Sequence, residues 1–254
     1  EAGRVWLSRF SVDEGDTVLI ALVKSRASAH VTNYLRHATV EEVNEVDSFG
    51  YTALLHACSD KAGLDHIVMS LLSFKHINTV AAVRSDHNTA LHYFCQTFSS
   101  PDLVIDAFNH FIARGANVNA KNDNGETPLF KAIFNTRIRL MLVTLLLENG
   151  ADVNVYNDSH GEGLLHYAVR LNRPDLVNVL LQAGADLQAR SKRTCQTPLQ
   201  VAAADGNTAI QLQLQEAEEL LTFLYRHDLT QYRPTLFKHG VTLGALAEMN
   251  SVTE

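Results

Sequence analysis

Histidine and cysteine are the side chains best suited to hold a metal or attack a substrate, and this chain of 254 residues has 12 of the first and 3 of the second. A tetrahedral metal site needs four such ligands at short, regular spacing. His92 and Cys95 stand three apart and His56 and Cys58 two apart, but no further acidic or thiolate partner completes either set. The run His160-Gly161-Glu162-Gly163 lacks the preceding strand and the six-residue span with which a glycine-rich loop cradles phosphate. No Gly-x-Ser-x-Gly elbow or paired acidic motif gives a nucleophile its base. The residue types for chemistry are present without the spacing that chemistry needs. The expectation is a chain that is not an enzyme, with no catalytic residues, no metal and no cofactor.

The spacing that does recur belongs to structure. Asn124-Gly125-Glu126-Thr127-Pro128-Leu129-Phe130-Lys131-Ala132 is echoed by Phe49-Gly50-Tyr51-Thr52-Ala53-Leu54-Leu55-His56-Ala57 and by His87-Asn88-Thr89-Ala90-Leu91-His92. Further copies are Gly161-Glu162-Gly163-Leu164-Leu165-His166-Tyr167-Ala168 and Cys195-Gln196-Thr197-Pro198-Leu199-Gln200-Val201-Ala202, with a fainter one at Thr17. With the Thr slot as phase marker, positions 17, 52, 89, 127, 163 and 197 give intervals of 35, 37, 38, 36 and 34. A period of this length marks a stack of supersecondary units. A second echo keeps phase with the first: Gly115-Ala116-Asn117-Val118-Asn119, Gly150-Ala151-Asp152-Val153-Asn154 and Gly184-Ala185-Asp186-Leu187-Gln188.

Together these motifs resemble the ankyrin repeat family over roughly residues 15 to 229. The physics of each copy is consistent with that. A Thr at a helix start offers its hydroxyl to a free backbone N–H, and Pro suits the first turn. The Gly of the second motif follows an apolar run such as Leu140 to Leu147, where a left-handed residue ends a helix without a Cβ penalty. Neither helix of a pair buries its apolar face alone, so neighbouring pairs must stack. The expected fold is an all-α ankyrin-repeat solenoid of helix-turn-helix units with finger-like turns and a C-terminal helical extension.

The expected division is a capping repeat over 1–46, repeats over 47–83, 84–120, 121–155 and 156–189, a C-terminal repeat over 190–217 and a helical extension over 218–254. The second and third repeats carry long helix-helix connections, around Asp60-Lys61-Ala62-Gly63 and Thr97-Phe98-Ser99-Ser100-Pro101, with Asp102 as the expected cap of the following helix. In the fifth, Gly163 and Leu164 replace the Thr-Pro pair, which removes a bracing hydroxyl. Thr208 to Arg226 reads as one long helix whose face is Ile210, Leu214, Ala217, Leu221 and Leu224. Beyond it, Leu229, Tyr232, Phe237, Gly240, Val241, Leu243 and Leu246 resemble the first half of a sterile alpha motif domain; the alternative is a helical cap on the stack.

Composition narrows the function classes. With 46% hydrophobic and 19% charged residues and no apolar run near the roughly 20 needed to span a bilayer, no membrane segment is expected. A net charge of -7 argues against nucleic acid as partner, although Arg190-Ser191-Lys192-Arg193 is locally basic. Cys58, Cys95 and Cys195 form no even framework, so free thiols and a reducing, cytoplasmic location are expected. A start at Glu1 rather than Met, with no leader pattern, predicts a piece of a longer protein.

The ankyrin resemblance implies a signalling scaffold that binds another protein or a peptide through a groove lined by fingers and inner helices. The positions it exposes are Phe49, Tyr51 and Ser59, then Asp86, Asn88 and Gln96, then Asn124, Glu126, Phe134 and Asn135, and finally His160, Glu162, Arg170, Arg193 and Gln196. Phe49, Tyr51 and Phe134 are the expected anchors, because aromatic side chains bury much area at little rotamer cost. In the same resemblance His56, His92 and His166 bond across neighbouring turns. The C-terminal helices imply self-association or attachment to another domain. Two alternatives stand beside this reading: the non-catalytic regulatory region of a larger signalling enzyme such as a kinase, and a small-molecule sensor, which the scattered arginines support least.

Overall fold

The structure, a computed structural model, describes residues 15–83, 85–158 and 160–246. The chain divides into two compact units between Ala151 and Asp152.

The first unit is built of helical pairs. Its helices are Val18–Lys24 (α1), Ser28–Leu35 (α2), Val40–Asn44 (α3), Ala53–Ser59 (α4), Asp65–Ser73 (α5), Ala90–Thr97 (α6), Val104–Ala113 (α7), Pro128–Ile133 (α8) and Arg139–Glu148 (α9). The inner helices α1, α4, α6 and α8 pack in that order, and the outer helices α2, α5, α7 and α9 do the same. Between the layers lie side chains with no exposed surface, among them Leu54, Leu91, Phe94, Phe108 and Phe111. The Phe94 ring stands 4.5 Å from Phe98 and 5.0 Å from Phe111. Burying a side chain of this size stabilises by about 1.5–3 kcal/mol, which is why helices of five to ten residues, too short to persist alone, hold their form in the stack.

The second unit repeats the plan with Leu164–Arg170 (α10), Pro174–Gln182 (α11), Pro198–Ala204 (α12) and Thr208–Arg226 (α13), followed by a 3-10 turn at Thr230–Tyr232 and Arg233–Lys238 (α14). Inner α10 packs on α12 and outer α11 on α13. The long helix spans the residues its spacing predicts, but its buried face runs Ile210, Leu214, Ala217, Leu220 and Leu224, with Leu220 in place of the expected Leu221. After Ala217 a step of three rather than four keeps the stripe facing α11. α14 returns to the same outer helix, where the Arg233 guanidinium donates to the Ala185 carbonyl (2.9 Å) and Phe237 is buried.

The capping residues act as their types predict. Thr17, Thr52, Thr127 and Thr197 each accept at Oγ1 from the backbone N–H three residues on. Gly163 keeps the same extended backbone (φ -82, ψ 168) without a side-chain bond, as its residue type requires. Two local expectations fail. Asp102 does not cap α7, which starts at Val104 after a turn and has no side-chain cap. Helix α3 went unforeseen, although Thr39 and Glu42 cap each other reciprocally there, Glu42 accepting from the Thr39 N–H at 2.8 Å. The apolar content of α3 is too small to give a period. The sequence-expected first repeat begins outside the described residues, as does the end of the C-terminal extension.

Candidate functional site

In each finger the first residue's N–H donates to the carbonyl of the residue before the helix cap, and its own carbonyl accepts from the left-handed residue of the turn. In the first unit the closing bonds run from the N–H of Asp47 to the Tyr51 carbonyl, from Val83 to Asn88 and from Asn122 to Glu126, each 3.0 Å. In the second they run from Asn157 to Glu162 and from Ser191 to Gln196, both 3.1 Å. Side chains brace the turns from inside. Asp47 Oδ1 accepts from the N–H of Phe49 (2.9 Å) and of Tyr51 (2.8 Å), and Asn122 Oδ1 accepts from Asn124 and Glu126. In the finger closed by Val83 and Asn88, His87 occupies the left-handed position at φ 55, where the fingers on either side carry Gly50 and Gly125. For an L side chain that conformation costs about 1–2 kcal/mol.

The aromatic residues singled out from sequence divide sharply. Phe49 stands 71% exposed at a finger tip. Tyr51 is only half exposed and packs between elements: its ring lies 4.9 Å from the His56 ring and 6.5 Å from Tyr93, with the two hydroxyls 3.3 Å apart. The Tyr93 hydroxyl donates to Asp86 (3.0 Å). Burial, the Tyr51 hydroxyl and the Asp86 carboxylate together push the Tyr93 phenol well above its ordinary value. Phe134 is 41% exposed, with its ring 5.9 Å from Phe130.

Three residues expected on the exposed surface are buried. Asn88 is held by Asp86 and donated to by the Asn122 amide (3.0 Å). Asn135 donates to the carbonyls of Cys95 (3.2 Å) and Phe98 (2.8 Å) while accepting from two backbone N–H groups. Glu162 takes Arg170 at 2.8 Å and lies 3.4 Å from the Ser191 hydroxyl. A short polar side chain beside a turn satisfies backbone groups that neighbouring repeats would otherwise bury unpaired. Of the remainder, Gln96, Asn124, His160, Arg170 and Arg193 are exposed, and Ser59, Asp86, Glu126 and Gln196 are half-buried. Gln96, Phe134 and Asn135 come together on one cleft in the first unit, with Lys61 and Arg137, which sequence reasoning passed over.

The histidines of the inner helices are structural cross-links of two kinds. His92 Nδ1 accepts from the Thr89 N–H (3.1 Å), so Nε2 carries the proton and donates to the Glu126 carbonyl of the next finger (3.1 Å). Burial lowers its pKa to about 4. His166 Nε2 reaches the Gln196 carbonyl at 3.0 Å, but its buried Nδ1 has no partner; Gly163, at the position of Thr89, lacks the hydroxyl that lies 2.9 Å from His92 Nδ1. His56 turns back to its own finger and meets Asp47 Oδ2 at 2.7 Å, where the next-finger bond was expected. Burial alone would raise the Asp47 pKa; the bonds from His56, Tyr51 and Phe49 hold it below its ordinary value. All three cysteines are free thiols, Cys58 and Cys95 buried and Cys195 exposed, and burial pushes the first two upward.

Residues 100–191 match the family model for ankyrin repeats, in three copies. The fold class is therefore all-α and ankyrin-repeat, as the motifs imply, and such repeats serve as protein-interaction modules. The chain is 44% identical over 186 residues to the stress-activated protein kinase alpha of Dictyostelium discoideum, an alignment covering 73% of this chain and 29% of that protein. It is 42% identical over 214 residues to a probable serine/threonine-protein kinase of the same organism, covering 84% and 24%. Over 207 residues it is 42% identical to the ankyrin repeat-containing protein kinase A of that organism, covering 80% and 14%. The chain thus spans less than a third of the length of each of these relatives.

These relatives overturn the expectation that the chain is not an enzyme, since proteins matched over most of its length are named as protein kinases. The physical reason is that repeat motifs report on stacking, and catalytic residues carried outside a repeat array leave no mark on its spacing. Among the described residues no helix is long and apolar enough to cross a membrane.

Proposed function

We propose that this chain is the protein-interaction region of a longer protein kinase, and that it regulates the kinase by binding a protein or peptide. The observation that carries this reading is the identity of 42 to 44%, over 73 to 84% of the chain, to proteins named as kinases. The exposed finger and inner-helix positions support the binding role: Phe49, Gln96, Asn124 and Phe134 in the first unit, and His160, Arg170 and Arg193 in the second. Tyr51, Ser59, Asp86, Glu126 and Gln196 flank them, and Asn88, Asn135 and Glu162 hold the backbone beneath. A cytoplasmic location is part of the same proposal.

The proposal counts six repeats, with boundaries at 47, 84, 121, 156 and 190. Six successive inner helices, α1, α4, α6, α8, α10 and α12, support that count. For residues 218–246 the return of α14 onto α11 supports a helical cap on the second unit more than the opening half of a sterile alpha motif domain.

The test is made on the whole protein. A kinase domain encoded in the same reading frame, whose phosphotransfer rate or substrate choice changes when residues 15–246 are deleted, is the expected result. A continuous reading frame without a kinase domain, or a deletion that changes neither property, would overturn it.

A further inference from the structure

A cleft of about 350 Å3 opens in the first unit where the inner helices α4, α6 and α8 end and their chains turn outward. Its walls are the two long connections that depart from the repeat pattern, Lys61 to Gly63 and Gln96 to Ser99, and the turn Phe134 to Arg137. Inner helices of this length put the cleft on the order of 10 Å from the fingers; it shares Gln96 and Phe134 with the proposed binding surface, on which reading it rests, and lies at the opposite end of the inner helices from Phe49.

The cleft is built on fixed backbone. The Asp60 carboxylate accepts from the Ala62 N–H (2.8 Å) and so folds the turn that carries Lys61. Gly63 closes that turn at φ +73, and a Cβ there would stand 3.2 Å from Ser99 Oγ. Asn135 ties the third wall to the second through Cys95 and Phe98, and its Oδ1 accepts from the N–H groups of Arg137 and Ile138, each at 3.0 Å. Lys61 and Arg137 are therefore presented from turns that neighbouring repeats hold in place.

The charged residues lining the cleft are these two cations, both exposed, and neither has an ion-pair partner among the described residues. Nearby carboxylates are engaged elsewhere: Asp60 with Arg26 at 3.4 Å, and Asp65 with the N–H and hydroxyl of Ser99. Phe134 sets a half-exposed aromatic face beside them. In a protein of net charge -7, two cations converging on a polar cleft are a local reversal of the overall field.

We propose that this cleft docks an acidic polypeptide segment, with aspartate or glutamate carboxylates between Lys61 and Arg137 and an apolar side chain against Phe134. The net negative charge of the rest of the protein repels such a segment, so its binding depends on local positive charge, which Lys61 and Arg137 supply here. The probe is a fluorescein-labelled peptide of alternating glutamate and leucine, titrated into the full chain by fluorescence anisotropy beside the same peptide with glutamine for glutamate. The glutamate peptide should bind at least tenfold more tightly, and that preference should fade as salt is raised. Lys61→Gln with Arg137→Gln should abolish the preference, Lys61→Arg with Arg137→Lys should retain it, and Arg190→Gln with Lys192→Gln should leave it unchanged. Both loop positions are exposed, and equal thermal midpoints verify that each variant folds; the charge-conserving pair decides the matter if the neutral pair does not. Equal binding of the two peptides, a preference that survives loss of both cations, or one that disappears with Arg190 and Lys192 would overturn the proposal. So would binding of a phosphoserine peptide without binding of the glutamate peptide, which would make the occupant a phosphate.

Discussion

The hydroxyls of Tyr51 and Tyr93 lie 3.3 Å apart, and because Tyr93 spends its proton on Asp86, Tyr51 must be the donor between them. The finger closed by Asp47 and Tyr51 is thereby bonded to the next inner helix, α6. Tyr51 was expected from sequence to be a free anchor; its geometry is that of a brace. Tyr51→Phe should lower the unfolding free energy by about 0.5–1.5 kcal/mol, the net worth of one hydrogen bond. A double-mutant cycle with Tyr93→Phe in urea should show coupling between the sites. Additive effects would mean the hydroxyl contact contributes nothing.

Phe49, two residues earlier, makes the complementary case. At 71% exposure it has little packing to lose, so Phe49→Ala should leave the denaturation midpoint within about 0.5 kcal/mol of wild type. If it anchors a partner, the same substitution should weaken that partner's binding by about 2 kcal/mol or more. Calorimetric titration and urea unfolding on one preparation separate these effects. A fall in stability equal to the fall in affinity would assign Phe49 to the fold.

His92 should make the fold sensitive to mild acid. Its folded pKa, about 4, lies below the ordinary 6.5 because burial disfavours the charged ring. The unfolded chain therefore binds the proton more readily, and stability is fully present above about pH 6.5 and falls as pH drops toward 4. The difference is worth up to about 3 kcal/mol. Urea midpoints at pH 7 and pH 5 should differ more in wild type than in His92→Gln. An equal pH dependence in both would place the titration elsewhere.

The parts legible in the sequence were those set by a repeated local cause. Thr at positions 52, 127 and 197 fixed helix starts because a hydroxyl there has one job, and Gly115, Gly150 and Gly184 fixed helix ends at φ 77, 82 and 91. What the repeat did not encode was how neighbouring repeats meet. The burial of Asn88, Asn135 and Glu162 depends on carbonyls and side chains about 30 to 40 positions away, which no local pattern reveals. Lys61 and Arg137 were invisible for the same reason. Lys61 stands in a connection that reads as long and Arg137 in a repeat that reads as regular, and only the stacked structure brings the two to one cleft.

Gly163 offers the converse experiment, in which a missing local cause is restored. Its backbone already matches that of the capping threonines: φ -82 and ψ 168, beside φ -82 and ψ 165 at Thr52. A Cβ built there would stand 3.4 Å from the Tyr156 ring, at the near edge of ordinary contact. Gly163→Thr should supply the hydroxyl that α10 lacks and give the unpartnered His166 Nδ1 a donor, as Thr89 does for His92. A cap contributes about 0.5–2 kcal/mol over alanine and only a few tenths over glycine. Loss of glycine's freedom in the unfolded chain contributes a further ~0.4–1 kcal/mol, and satisfying a buried ring nitrogen adds to both. The expected result is a rise in stability of about 1 kcal/mol, larger than that of Gly163→Ala, which restores the Cβ without the hydroxyl. If alanine and threonine stabilise equally, the hydroxyl does not reach His166. If threonine destabilises, the Tyr156 ring cannot yield, and the glycine is there to admit it.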